Sequence, residues 1–88
     1  MLDCKVGSGA FLATEAESRE LARTMVDLGG TEHGLLTRAL LTDMSVPLGR
    51  TVGNAVEVVE SLEVLEGGGP EDVVELTLAL AREMLDAA

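Results

Sequence analysis

Apolar positions along the chain fall into two kinds of pattern, and every run is short. In residues 1–6, Cys4 and Val6 flank Lys5, an alternation that predicts a strand. A glycine-bearing loop, Gly7 to Ala13, follows. Thr14-Glu15-Ala16-Glu17 has the form of a capping box, in which the Thr14 hydroxyl accepts from the Glu17 amide while Glu17 reaches back. Beyond it Leu21, Ala22, Met25, Val26 and Leu28 recur every three or four residues. That spacing predicts a helix with one apolar stripe, closed by Gly29-Gly30 in the left-handed conformation. Leu35 to Leu41, LLTRALL, is short enough for a second strand, although leucine and alanine suit a helix equally well.

Thr42 to Arg50 reads as a loop around Pro47 and Gly49. Val52, Ala55, Val56, Val59 and Leu62 then form a second helical stripe, which ends at Gly67-Gly68-Gly69. Pro70 opens a third helix, with Glu71 and Asp72 at the positive end of its dipole. Val73, Leu76, Leu80 and Met84 mark the face it is expected to bury. The predicted order is strand, helix, strand, helix, helix, an α/β arrangement whose two strands run parallel. Parallel sheets are covered on both faces and are wider than two strands. The expected fold is therefore a fragment of a larger mixed or parallel-sheet domain.

Composition narrows the partners. The 88 residues are 47% hydrophobic, which excludes a disordered tail, yet Phe11 is the only aromatic residue. Net charge is −10. From Thr51 onward nine acidic residues face a single basic one, Arg82, a surface that repels phosphate backbones and anionic lipid. Nucleic acid and membrane are thus not expected partners. No apolar run approaches a membrane span, and the first residues lack a basic segment followed by an apolar one. A lone cysteine, Cys4, offers neither an internal disulfide nor metal-ligand spacing. The expected compartment is the cytoplasm.

Four features carry candidate chemistry. The backbone amides of Gly7 to Ala10 have the makings of an anion cradle, but the stretch lacks the third glycine of the dinucleotide fingerprint and the lysine of a P-loop. The competing reading is a tight strand-to-helix turn. Cys4 and His33 are the types of a nucleophile and its base, set against a buried strand cysteine and a histidine in a glycine-flanked turn. Glu57, Glu60 and Glu63 share a helix face that would hold a cation or simply be solvated. Asp43 is an acid or base candidate, and equally a loop cap.

Three segments, DCKVGSGAF, RALLTDMSVPLGRTVGNAVEVVESLEVLEGGGP and DVVELTLALAREML, together resemble the thymidine and pyrimidine-nucleoside phosphorylases. The likeness runs from Asp3 to about Leu85, with T-D-M, P-L-G and G-N-A-x-E-V in the same order and spacing. It implies that residues 1–88 are a partial α/β domain, with the helical domain and the phosphate-binding loop outside it, and that Met1 stands where the family has an internal residue. The implied function is part of an enzyme converting a pyrimidine nucleoside and phosphate, the co-substrate, to free base and (deoxy)ribose 1-phosphate. That full enzyme would be a homodimer, with the present piece inactive alone and carrying no catalytic residue. The resemblance also implies roles for single residues. The KVGSGAF turn would carry Phe11 to the base pocket as an apolar wall rather than cradle phosphate. Backbone carbonyls of Leu48 and Thr51, with the carboxylate of Glu60, would hold part of a potassium or calcium site. The alternatives are a non-catalytic interaction module and a small unrelated anion-binding α/β domain.

Overall fold

The computed structural model describes all 88 residues. They divide into two compact units, Met1–Val46 with Leu80–Ala88, and Pro47–Ala79.

The first unit is built on two parallel strands, β1 (Leu2–Val6) and β2 (Ala39–Asp43), joined through helix α1 (Glu15–Asp27). Register runs from Leu2 opposite Ala39 to Val6 opposite Asp43. The strand alternation brings Asp3 and Lys5 to one face, where Lys5 Nζ lies 2.7 Å from Asp3 Oδ2 and the Thr42 hydroxyl donates to Asp3. Burial pushes the Asp3 carboxyl up, but the bonds from Lys5 and Thr42 and the Lys5 charge together hold it below its ordinary value. Arg38, just ahead of β2, pairs with Glu83 at 3.0 Å. Both partners are about one-third exposed, so this pair guides placement more than it stabilises.

The second strand lies further along the chain than the apolar run predicts. Leu35 and Leu36 are irregular and exposed, whereas Thr42 and Asp43, expected in a loop, complete the ladder. Pairing with β1 decides the boundary, because Thr42 and Asp43 have partners in Lys5 and Val6. The first helix also runs past its expected stop. Gly29 and Gly30 do not adopt the left-handed conformation but lie inside a wider π turn, Leu28–Glu32. A Cβ on Gly29 would collide with the Thr37 side chain, so this glycine serves close packing. Gly34, at φ +63°, is the left-handed residue, and the Gly34 and Leu35 amides donate back to Gly30 and Gly29.

Thr14 caps α1 as expected, accepting from the Glu17 amide at 3.3 Å. Cys4 and Ala22 are the only buried hydrophobic side chains, and Ser18, one helical turn before Ala22, is 1% exposed. The Ser18 hydroxyl donates to the Leu12 carbonyl at 3.4 Å and ties the helix start to the preceding loop.

The second unit holds the loop from Pro47, helix α2 (Asn54–Leu65), a glycine turn and the start of helix α3 (Glu71–Ala87). Gly67 and Gly69 take positive φ and close α2 as expected. Pro70 directly precedes α3, with Glu71 and Asp72 in its first turn. The apolar stripes are present, but the burial expected of α3 is only partial and the α2 stripe is open. Val52, Val56, Val59 and Leu62 are all about half exposed or more, and on α3 Val73, Leu76 and Leu80 are half-buried while Met84 is exposed. Periodicity reports which face seeks cover; it does not supply the cover. No helix is long and apolar enough to cross a membrane.

Candidate functional site

Beyond the carboxyl ends of β1 and β2 the chain makes two turns that lace together. The Met44 amide donates to the Val6 carbonyl at 2.6 Å, and the Gly9 amide returns a bond to the Met44 carbonyl at 3.0 Å. The Ser8 hydroxyl adds a longer bond to the Ser45 carbonyl at 3.4 Å. Gly7 sits buried at the crossing with φ +124°, pressed against Ser45 and Asp43. Only a residue without a Cβ fits there, in conformation and in space. Asp43 is fixed by the Ser45 amide at 2.8 Å. The backbone bond from Ser45 and then the Ser45 side chain hold its carboxyl below the ordinary value. A pocket of about 410 Å³ opens here, with Gly7, Glu15, Thr42, Asp43 and Ser45 among its lining. The carboxyl ends of parallel strands are where open α/β sheets bind ligands.

This geometry argues against a phosphate cradle. The Gly9 and Ala10 amides already donate to the Met44 and Gly7 carbonyls, and the Asp43 carboxylate lies against Gly7. An anion would meet spent donors and a negative charge. Phe11, three residues on from Ser8, is held fully exposed rather than in a core. It lines a second pocket of about 260 Å³ with Leu12, Leu21 and Met25 of the α1 side and Cys4 of β1.

The second unit contains the other candidate. Helix α2 begins after Gly53, whose amide donates to Glu57 at 3.1 Å, so the first glutamate of the stripe caps its own helix. Glu60, one turn on, accepts from the Arg50 amide at 3.0 Å through Oε2. Its other oxygen lies against Gly49, which takes φ +79°. Asp72 accepts from the Gly49 amide at 2.9 Å. Two carboxylates thus grip consecutive amides of the loop Leu48–Thr51. Peptide bonds here are trans, so the Leu48 and Gly49 carbonyls point opposite to those gripped amides. Thr51 completes the loop with a buried hydroxyl that has no hydrogen-bond partner.

The sequence candidates therefore fare unequally. Leu48, Thr51 and Glu60 are gathered in one loop–helix corner; Cys4 is buried in β1, while His33 is exposed at the end of the π turn. Glu57 and Glu60 bind backbone amides, whereas Glu63 is exposed. Asp72 and Ser45 are positioning residues that pattern reading missed. The Pro-Glu-Asp start of α3 marks Asp72 as a capping acid, but nothing local tells that it reaches back 23 residues to Gly49. No group of three or more His, Cys, Asp and Glu side chains is arranged to hold a metal ion.

No protein-family model matches the chain. Thymidine phosphorylase from Mycobacterium tuberculosis (strain CDC 1551 / Oshkosh) is 68% identical over 88 residues, 100% of this chain and 20% of that protein. Pyrimidine-nucleoside phosphorylase from Bacillus subtilis (strain 168) is 48% identical over 85 residues, 97% of this chain and 19% of that protein. The pyrimidine-nucleoside phosphorylase of Staphylococcus haemolyticus (strain JCSC1435) is 46% identical over the same extent. The resemblance carried by the KVGSGAF and TDM…PLG…GNA runs is thus a similarity over essentially the whole chain. This α/β segment spans about a fifth of the length of the curated relatives it matches.

Proposed function

We propose that the chain serves as one segment of the α/β domain of a cytoplasmic, homodimeric pyrimidine-nucleoside phosphorylase. The observation that carries this reading is the laced pair of turns at the carboxyl ends of β1 and β2, which holds Phe11 out of any core. In phosphorolysis a phosphate oxygen bonds to the sugar carbon as the carbon–nitrogen bond to the base breaks. The protein contributes orientation and charge stabilisation. Phe11 is the apolar wall against which the pyrimidine rests, and the laced turns fix where that wall stands. The phosphate-holding groups belong to sequence outside this chain.

The same reading gives Leu48, Thr51 and Glu60 an ion to hold. Their donor set fits potassium or calcium: two carbonyls and a carboxylate are hard oxygen ligands. The buried unpartnered oxygen of Thr51 in the same loop fits it as well. When bound, the ion supplies positive charge that offsets Glu60. Glu60 and Asp72 keep the loop in shape by holding the Arg50 and Gly49 amides.

A chimera tests the base-wall role: the M. tuberculosis thymidine phosphorylase with this chain in place of the segment it matches. Phe11→Ala in that protein removes an aromatic contact worth about 0.5–1.5 kcal/mol, or roughly twofold to somewhat over tenfold in kcat/KM for the nucleoside. The phosphate KM should hardly move. Unchanged nucleoside kinetics with a lowered melting temperature would make Phe11 a packing residue instead.

A further inference from the structure

Thr51 carries the one buried side-chain oxygen or nitrogen in the chain that no hydrogen bond satisfies. Folded proteins pair the large majority of such atoms, and leaving a hydroxyl unpaired is unfavourable. The two neighbouring amides that could donate to it, those of Gly49 and Arg50, already donate to Asp72 and Glu60. What the loop keeps in excess is acceptors: the carbonyl of Leu48, the carbonyl and hydroxyl oxygens of Thr51, and the second oxygen of Glu60. A corner rich in oxygen acceptors, with the Gly49 and Arg50 amides already taken, suits a hard cation. We infer that the Thr51 side-chain hydroxyl is itself a ligand of the cation, so that Thr51 binds through two oxygens, hydroxyl and main-chain carbonyl.

The inference rests on the proposed ion site at Leu48, Thr51 and Glu60, and it goes beyond that reading by giving the side chain a role. It sets a valine apart from a serine at this position. Valine keeps the branched shape of threonine and deletes the oxygen, whereas serine keeps the oxygen.

The experiment uses the chimera described above. Its melting temperature is followed against potassium chloride, with choline chloride holding ionic strength constant, and then against calcium chloride. Stabilisation by a bound ion grows with concentration once the dissociation constant is passed, so the midpoint of the shift reports affinity. Thr51→Val should raise the potassium or calcium midpoint roughly tenfold, equivalent to one lost ligand of about 1.4 kcal/mol. Without either ion its melting temperature should hold or rise, since an unpaired hydroxyl has been removed. Thr51→Ser should stay near the parent midpoint. Thr51→Ala deletes the same oxygen with less bulk and serves if valine disturbs folding. An unchanged ion midpoint in Thr51→Val and Thr51→Ala, alongside a response lost in Glu60→Gln, would overturn the inference and leave the ion site standing. A parent chimera that responds to neither ion would overturn both.

Discussion

Replacing Gly7 by alanine tests whether the two laced turns act as one device. At φ +124° an alanine is strained by about 1–3 kcal/mol wherever it sits. Space makes this worse. The added Cβ would overlap the Ser45 hydroxyl, stand 2.8 Å from the Ser45 amide nitrogen and lie 3.1 Å from an Asp43 oxygen. A backbone nitrogen cannot swing aside, so the TDMS turn must move away from the KVGSG turn. That movement weakens the Gly9–Met44 and Ser8–Ser45 bonds, each worth about 1 kcal/mol. The expected loss is about 3–5 kcal/mol of stability. Gly34→Ala is the control: at φ +63° with no atom within 4 Å, it should cost only about 1–2 kcal/mol. Both are read by urea unfolding of the chimera and by steady-state kinetics. Gly7→Ala should also raise the nucleoside KM by displacing Phe11, with the phosphate KM nearly constant. If Gly7→Ala unfolds at the same urea concentration as Gly34→Ala, with parent kinetics, the two turns are independent and the reasoning fails.

Two further outcomes follow from burial and charge. The isolated 88-residue chain should self-associate or melt broadly, because two strands leave sheet edges open and Val56, Val59 and Leu62 of α2 lie exposed; a sharp calorimetric transition from a strict monomer in the ultracentrifuge would contradict this. The Asp3 carboxyl is held below its ordinary value of 3.8, so its contribution is complete above that pH and is lost as pH falls through the lower folded value. In acid titrations of the chimera, Asp3→Asn should flatten that part of the stability curve, and superimposable curves would remove Asp3 from the account.

Much of the fold was legible because local chemistry writes it. Thr14 ahead of Glu17 caps a helix on any scaffold, and Gly67-Gly68-Gly69 followed by Pro70 separates two helices by backbone rules alone. The second strand lies beyond its apolar run because its ends depend on β1, a partner more than thirty residues away, and Asp43 is a residue type depleted in strands. Gly29-Gly30 misled for a related reason: one glycine there makes room for Thr37, and that approach is invisible to a stop-signal reading. The α3 face of Val73, Leu76, Leu80 and Met84 is covered only in part, since an apolar stripe names a face without naming what covers it.

At the candidate site, motif likeness singled out Phe11, Leu48, Thr51 and Glu60, but not the groups that steady them. The Ser45 carbonyl accepts from the Ser8 hydroxyl and Asp72 accepts from the Gly49 amide, across 37 and 23 residues, separations where no periodicity operates. Glu60 illustrates the boundary between the two. Its place on a glutamate stripe suggests a solvated face, and only the folded loop reveals its bond to the Arg50 amide.

The most direct measurement compares phosphate-dependent release of thymine from thymidine by two proteins, the chimera and the 88-residue chain alone. The expected result is turnover by the chimera within about tenfold of the parent M. tuberculosis enzyme, and none by the isolated chain, which spans about a fifth of that enzyme's length. A chimera that folds and binds phosphate but releases no thymine, or an isolated chain that catalyses phosphorolysis, would contradict the assignment of these residues to one part of a phosphorylase site.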